Sequence, residues 1–186
     1  LAQLQLGVPM GASILVEVAG FACRAFFISR ISAVAAAGHQ IAANLTALLF
    51  MMPLAIGNAT STLVAQRIGA RDAHDAQRLG WHGVQIGIGV ATLMSLAVLA
   101  GREPLLALYT RDAAVLAAAL PLLGWLALFH VADAVQAIAA FVLRAYRVAR
   151  APMLILAFAL WFVGLGGGYL LAFDVLGGTP ASLQGA

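Results

Sequence analysis

Two carboxylates interrupt long apolar stretches of this chain. Glu17 lies within the octapeptide I-L-V-E-V-A-G-F, and Asp133 lies in an equally apolar segment much further along. A carboxylate at the centre of a membrane helix costs about 2.5–3.5 kcal/mol on insertion scales, and such residues usually face a bundle interior or a wet cavity. A carboxylate in that setting can take up and release a proton or a small cation. The sequence therefore predicts an ion-coupling role for both residues.

The alternative for either carboxylate is a structural ion pair. Arg24 follows Glu17 by seven residues, which places both on one helix face, about 10 Å apart along the axis. Arg24 then either neutralises Glu17 in part or extends outward to the membrane surface. Asp133 has no arginine within two helical turns. The functional interpretation is therefore favoured more strongly for Asp133.

Other polar and aromatic side chains share helix faces in the same stretches. Phe129 and Gln136 lie on the predicted face of Asp133, and Gln40 and Asn44 are four residues apart on an earlier helix. We interpret these four as auxiliary residues of an ion site or a drug cavity. Polar groups of this kind also join neighbouring membrane helices by hydrogen bonds, and this structural role is the alternative for Gln40, Asn44 and Gln136.

The elements that must position these residues are membrane helices. The chain has 186 residues, of which 63% are hydrophobic and 9% charged, whereas soluble domains carry about 25% charged residues. Because a span needs about 20 apolar residues and only helices satisfy the backbone at these lengths, the fold class is an all-α polytopic membrane protein. The predicted spans are 7–28, 38–66, 79–101, 113–143 and 151–173. The second follows a small-residue loop and bends at Pro53.

Arginine placement predicts the orientation. Every basic residue is an arginine, and the net charge is +3. Two loops that lie on one side of the membrane hold Arg67, Arg71, Arg78, Arg144, Arg147 and Arg150, whereas the other side holds Arg30, Arg102 and Arg111. The positive-inside rule places the richer side and the N-terminus in the cytoplasm. The ends of the chain lead us to expect a fragment of a longer protein, with residues 1–186 forming one lobe.

Several classes of function have no motif here. The four histidines and the single cysteine have no metal-ligand spacing, and there is no nucleophile elbow, Walker loop or aspartate-rich Mg²⁺ motif. The arginines fall at the ends of apolar runs and form no nucleic-acid patch. We therefore predict neither an enzyme nor a nucleic-acid-binding protein, and no covalently bound cofactor.

A series of motifs resembles one transporter family. They are L-G-V-P-M-G (6–11), V-E-V (16–18), A-G-H-Q-I-A-A-N-L-T-A-L-L-F-M-M-P-L-A-I-G (37–57), R-E-P-L-L-A-L-Y-T (102–110), A-D-A-V-Q (132–136), L-R-A-Y (143–146) and A-P-M (151–153). In this order and spacing the chain resembles the C-terminal half of the MATE family (multidrug and toxic compound extrusion), most closely its NorM-type branch.

The resemblance implies a fold of two six-helix lobes facing a central cavity. This chain would supply five of the six transmembrane helices of the second lobe, and the N-terminal lobe would complete it. The implied activity is export of small organic cations across a plasma membrane, the bacterial inner membrane, in exchange for Na⁺ or H⁺. Carboxylates at the positions of Glu17 and Asp133 form the cation site of such a lobe and would bind Na⁺ in a sodium-coupled member. Phe129 departs from the family, which often has tyrosine there, so one oxygen ligand is missing.

Three alternative functions accompany this interpretation. A lipid-linked oligosaccharide flippase of the same superfamily would be expected to place basic residues in its cavity, and Arg24 is the one residue here that fits. A membrane-embedded transferase would need clustered carboxylates for Mg²⁺. A non-transporting structural subunit of a membrane complex would leave Glu17 and Asp133 unexplained.

Overall fold

The computed structural model describes residues 2–30, 32–148 and 150–166, which form helices and no strand. The helices are α1 (Ala2–Ser29), α2 (Ala33–Gly69), α3 (Ala73–Ala100), α4 (Arg102–Tyr109), α5 (Ala113–Ala145) and α6 (Arg150–Phe158), followed by a π-helix (Ala159–Gly166). Three of them, α2, α3 and α5, are long and apolar enough to cross a membrane. The predicted fold class, an all-α polytopic membrane protein, is therefore confirmed. The end of the fifth predicted span, residues 167–173, lies outside the described residues.

The described residues fall into two units, which are considered separately. One contains the chain up to Arg24 together with α6 and the π-helix, and the other runs from Ala25 to Val148 and is called the central unit here. In the first unit Gly20 of α1 packs on Leu160, whose Cδ2 atom would lie 2.5 Å from a Cβ added at that glycine. The absence of a side chain at Gly20 therefore allows α1 to approach the π-helix closely.

The central unit is a packed bundle of α2, α3 and α5. Helices α2 and α5 run in the same direction, because Gly38 contacts Ala119 near the start of both helices and Gly57 contacts Phe141 further along. Helix α3 connects them and runs the opposite way. Its glycines allow close contact, as small residues commonly do between membrane helices. The main core cluster contains Leu45, Val98, Leu106, Ala119, Leu123 and Leu126.

Two helix starts show the effect of N-terminal caps. Asp72 caps α3, because its Oδ1 accepts a hydrogen bond from the backbone N–H of Asp75 at 3.0 Å. The prediction of a small-residue loop before residue 38 was wrong, since α2 already begins at Ala33. The Ser32 hydroxyl caps it by accepting from the N–H of Ala35 at 3.0 Å, and the alanines that follow are the best helix formers.

Helix α4 is an element that the sequence analysis did not predict. It begins directly after α3, and Pro104 lies in its first turn, where a missing N–H is tolerated. Leu106 anchors it, because this side chain is buried in the core cluster with Val98 and Leu123.

Helix α2 continues through Pro53, which is buried. The bend expected at this proline stays a prediction.

Candidate functional site

Asp133 lies in the second half of α5 and is the one charged residue between Asp112 and Arg144. Its side chain is half-buried. The buried stripe of the same helix passes beside it, through His130, Ala134 and Ala137. Phe129, one turn earlier, is 61% exposed. The carboxylate is therefore at the margin of the packed face of α5, next to an exposed aromatic ring.

Glu17 lies in the middle of α1, in the other unit, and is also half-buried. Its neighbour Val18 is exposed. The structure thus gives both predicted carboxylates a partly covered position on a long apolar helix. The side chain of Arg24, the alternative partner of Glu17, lies outside the described residues. The assignment of Glu17 and Asp133 to one ion site stays a prediction.

Asn44 has a specific partner that the sequence did not indicate. The Tyr109 hydroxyl donates a hydrogen bond to its Oδ1 atom at 2.8 Å, which joins α2 to the end of α4. This contact favours the structural interpretation of Asn44, that of a bond between elements. Gln40, one turn earlier, is exposed. The two residues share a face of α2, as their spacing predicts.

The hydroxyl and amide groups further along α2 are satisfied within their own helix. Thr60 donates to the carbonyl of Ile56 at 2.7 Å, Thr62 to that of Asn58 at 2.9 Å, and the Asn58 amide to that of Leu54 at 2.9 Å. Such back-bonding lets a polar side chain lie in an apolar helix without a partner from another element. The protons of these groups are therefore engaged within α2 itself.

A groove of about 740 Å³ runs between α3 and α5 and is mostly apolar. Gln136 lines it together with Thr92 and Ser95 of α3, whereas Asp133 and Phe129 are not among its lining residues. Gln136 borders the groove, whereas Asp133, three residues earlier on the same helix, does not. The joint role of these two residues stays a prediction.

His130 is the buried polar residue that the sequence analysis passed over. It is 2% exposed, and neither ring nitrogen meets a hydrogen-bond partner within the described part of the chain. The hydroxyl of Ser95 is in the same situation. Buried polar groups are nearly always hydrogen-bonded, so both are exceptions. An isolated histidine in an apolar helix gives no sequence signal that distinguishes a buried ring from an interfacial one.

The carboxylates are not part of a multidentate cluster among the residues described. No group of three or more histidine, cysteine, aspartate or glutamate side chains is placed there to hold a metal ion. Each carboxylate therefore offers one charge, and the remaining ligands of a small cation would be neutral oxygens. Hard cations such as Na⁺ accept carbonyl, hydroxyl and water oxygens as readily as carboxylates, in the way that Ca²⁺ sites do.

Long apolar helices, three of which within the described residues could cross a membrane, define a polytopic membrane protein. The sequence model described as MatE matches residues 9–170. The chain belongs to the MatE family, as the motif series predicted. It is 44% identical over 95% of its length to a "Probable multidrug resistance protein NorM" of Aromatoleum aromaticum. It is 37% identical over 92% of its length to the "Multidrug resistance protein MdtK" of Pectobacterium atrosepticum.

The match covers part of these relatives. The chain spans 38% of the length of the Aromatoleum protein and 38% of the Pectobacterium protein. A third relative, from Xanthomonas axonopodis pv. citri, is 36% identical over 87% of the chain, which spans 35% of it. The chain therefore corresponds to a little over one third of the length of a whole relative.

Proposed function

We propose that this chain is part of a secondary multidrug efflux transporter that exports small organic cations in exchange for Na⁺ or H⁺. The observation that carries the proposal is Asp133, a half-buried carboxylate in an apolar membrane helix of a MatE-family protein. The names of the relatives, multidrug resistance proteins, support the substrate class. The N-terminal lobe would complete the transport path, and the arginine distribution supports a cytoplasmic N-terminus in the bacterial inner membrane.

The proposed mechanism is competition for negative charge. In the outward-facing state Asp133 and Glu17 take up Na⁺ or H⁺ and the organic cation leaves. In the inward-facing state the ion leaves and a lipophilic cation enters. Coupling of this kind requires only that each ligand favours one conformational state and that each excludes the other ligand from the site. The exposed ring of Phe129 is suited to an organic cation, because an aromatic face attracts a positive charge within about 6 Å of its centroid.

Efflux of ethidium from proteoliposomes tests the proposal. The full-length transporter is reconstituted, and a Na⁺ gradient and a pH gradient are imposed separately. We expect one gradient to drive efflux, and Asp133→Asn to abolish it while the variant purifies as a folded protein. Glu103→Gln is the matched control, because it removes an exposed carboxylate in the first turn of α4, outside the long apolar helices. That variant should transport normally.

The outcomes separate the alternatives. Gradient-driven efflux by Asp133→Asn at the wild-type rate would refute the assignment of Asp133. Absence of efflux by the wild-type protein under either gradient would refute the antiport proposal and favour the flippase alternative. A transfer assay with a fluorescent lipid-linked oligosaccharide would then be the next measurement.

A further inference from the structure

Helices α2 and α5 end in the same local structure. At the end of α2 the N–H of Arg71 donates to the carbonyl of Ile68 at 3.1 Å, and the N–H of Asp72 donates to that of Arg67 at 3.0 Å. This pair of bonds is the Schellman motif, in which the first residue past the cap adopts the left-handed conformation. Arg71 does so, with φ of 61°.

The end of α5 repeats this arrangement. The N–H of Arg147 donates to the carbonyl of Arg144 at 2.9 Å, and the N–H of Val148 donates to that of Leu143 at 2.9 Å. Arg147 has φ of 62°. Within the described residues, these two arginines are the only residues other than glycine with positive φ. Glycine is the usual residue at this position, because a Cβ atom disfavours the conformation.

The two left-handed arginines lie at the same end of the central unit. Val64 of α2 and Val142 of α5 both flank Gly80 of α3, at 3.9 and 3.1 Å from a Cβ added there. Arg71 is seven residues beyond Val64, and Arg147 is five beyond Val142, so they lie about 10 and 8 Å further along parallel helices. Because packed helix axes are about 8–10 Å apart, the two backbones end at similar heights and one helix diameter apart.

The acidic groups near this end are already engaged. Asp72 caps α3 through its carboxylate. Asp75 pairs with the Nε atom of Arg67 at 2.8 Å. Within the described residues, neither forms an ion pair with Arg71 or Arg147.

The other arginines of this end also have partners within the unit. Arg78 contacts the ring of His82, with 3.4 Å between Nε and Nε2, and the guanidinium of Arg144 lies 4.6 Å from the ring centroid of Phe141. Arg71 and Arg147 are both exposed, and in the part of the chain that the structure describes neither guanidinium has an ion pair or a hydrogen-bond partner. Among the described side chains at this end of the central unit, they are therefore the two arginines without a side-chain partner.

We propose that Arg71 and Arg147 bind the phosphate group of an anionic membrane phospholipid. Both lie just past the last turn of a long apolar helix. The ends of membrane-spanning helices are where lipid headgroups lie. A guanidinium binds phosphate through two parallel N–H donors, and basic pockets between membrane helices bind anionic headgroups. A ligand of this kind explains why arginine occupies two positions where glycine would fit the backbone better.

A purely local role is the competing explanation. Each arginine also places a positive charge beside the negative end of its own helix, which stabilises the helix. Removal of the side chains would then lower stability in any lipid. A headgroup site predicts a loss of selectivity for anionic lipid alone.

The test measures lipid retention and thermal stability together. The full-length transporter is purified in detergent and incubated with palmitoyl-oleoyl phosphatidylglycerol or with the corresponding phosphatidylcholine. Bound lipid is counted by native mass spectrometry, and the melting temperature is recorded with each lipid. The test variant is the double substitution Arg71→Gly/Arg147→Gly, which keeps both Schellman turns favourable. The matched control is Arg102→Gln/Arg111→Gln at the opposite end of the unit.

We expect the wild-type protein and the opposite-end control to prefer phosphatidylglycerol. For each arginine removed, the preference of the glycine variant for phosphatidylglycerol should fall about fivefold, the factor expected for one basic residue at an anionic surface. Its melting temperature in phosphatidylcholine should be unchanged or higher. Three results would each overturn the proposal: unchanged selectivity in the glycine variant, an equal loss in the control, or a melting-temperature rise with millimolar inorganic phosphate alone that matches the rise with phosphatidylglycerol.

Discussion

Replacement of Gly83 by alanine is expected to destabilise the protein, although alanine is the better helix former. Gly83 of α3 faces Thr60 of α2, and a Cβ atom added at Gly83 would lie 2.8 Å from the Thr60 Cβ and closer still to its Cγ2 and Oγ1 atoms. Thr60 is buried, and its hydroxyl donates to the carbonyl of Ile56 at 2.7 Å. Rotation of Thr60 away from the new methyl group would therefore break a hydrogen bond.

The magnitude follows from two opposing effects. Alanine gains about 1 kcal/mol over glycine in a helix interior. Overpacking of a filled contact costs about 1–3 kcal/mol, and we take the upper end at Gly83 because Thr60 cannot move freely. The net expectation is a loss of about 2 kcal/mol of unfolding free energy, from the difference of these two values.

A second glycine of the same helix provides the control. A Cβ added at Gly89 would meet no atom within 4 Å, so Gly89→Ala should gain about 1 kcal/mol from helix propensity alone. The two variants should therefore differ by about 3 kcal/mol, which corresponds to a difference in melting temperature of about 6–12 °C for a chain of this size. Tryptophan fluorescence of the purified protein in detergent, recorded during heating, measures it.

A double-mutant cycle locates the effect. Thr60→Ala in the Gly83→Ala background removes the obstructing γ atoms but keeps the Cβ atom at 2.8 Å, so it should recover part of the loss, which is the signature of two residues in direct contact. Equal melting temperatures for Gly83→Ala and Gly89→Ala would refute the described approach of α2 and α3. So would a double variant no more stable than Gly83→Ala itself.

Two further substitutions test polar groups of the central unit. His130→Leu should raise the melting temperature, because replacement of two unpartnered buried nitrogens by an apolar side chain removes a desolvation penalty of about 1–3 kcal/mol each; a fall of several degrees would show that the ring has a partner outside the described residues. Tyr109→Phe should cost about 0.5–1.5 kcal/mol by removing the hydrogen bond to Asn44. Because both substitutions remove the same hydrogen bond, adding Tyr109→Phe to an Asn44→Leu variant should cost no further stability. Fully additive losses in the same melting assay would contradict that bond.

The parts predictable from sequence were those governed by short-range rules. The cost of a carboxylate in an apolar helix singles out Asp133 without any knowledge of the fold, and its role in ion coupling stays a prediction. The cap at Asp72 obeys a rule of the same kind, because aspartate is a preferred N-cap residue. Ser32 before an alanine-rich run carried the same signal for α2, and a stricter use of the capping rule would have predicted the earlier start.

The parts that the sequence did not give depend on distant partners. Helix α4 has eight residues, too few to be stable without tertiary packing, and the burial of Leu106 in the core cluster supplies that packing. The Tyr109–Asn44 bond joins residues 65 positions apart. Which side chains of α5 border the groove depends on the side of the helix that meets α3. None of these has a local pattern.

The packing of α5 indicates how a charge change at Asp133 would be transmitted. On the adjacent face of the helix, Ile138 contacts Gly87 of α3 and Phe141 contacts Gly57 of α2. Rotation of α5 about its axis would move Ile138 and Phe141 out of these two close contacts. Packed interfaces of this type switch between discrete arrangements and do not deform continuously. We therefore expect ion binding at Asp133 to displace α2, α3 and α5 together, as one body, and not to turn α5 alone.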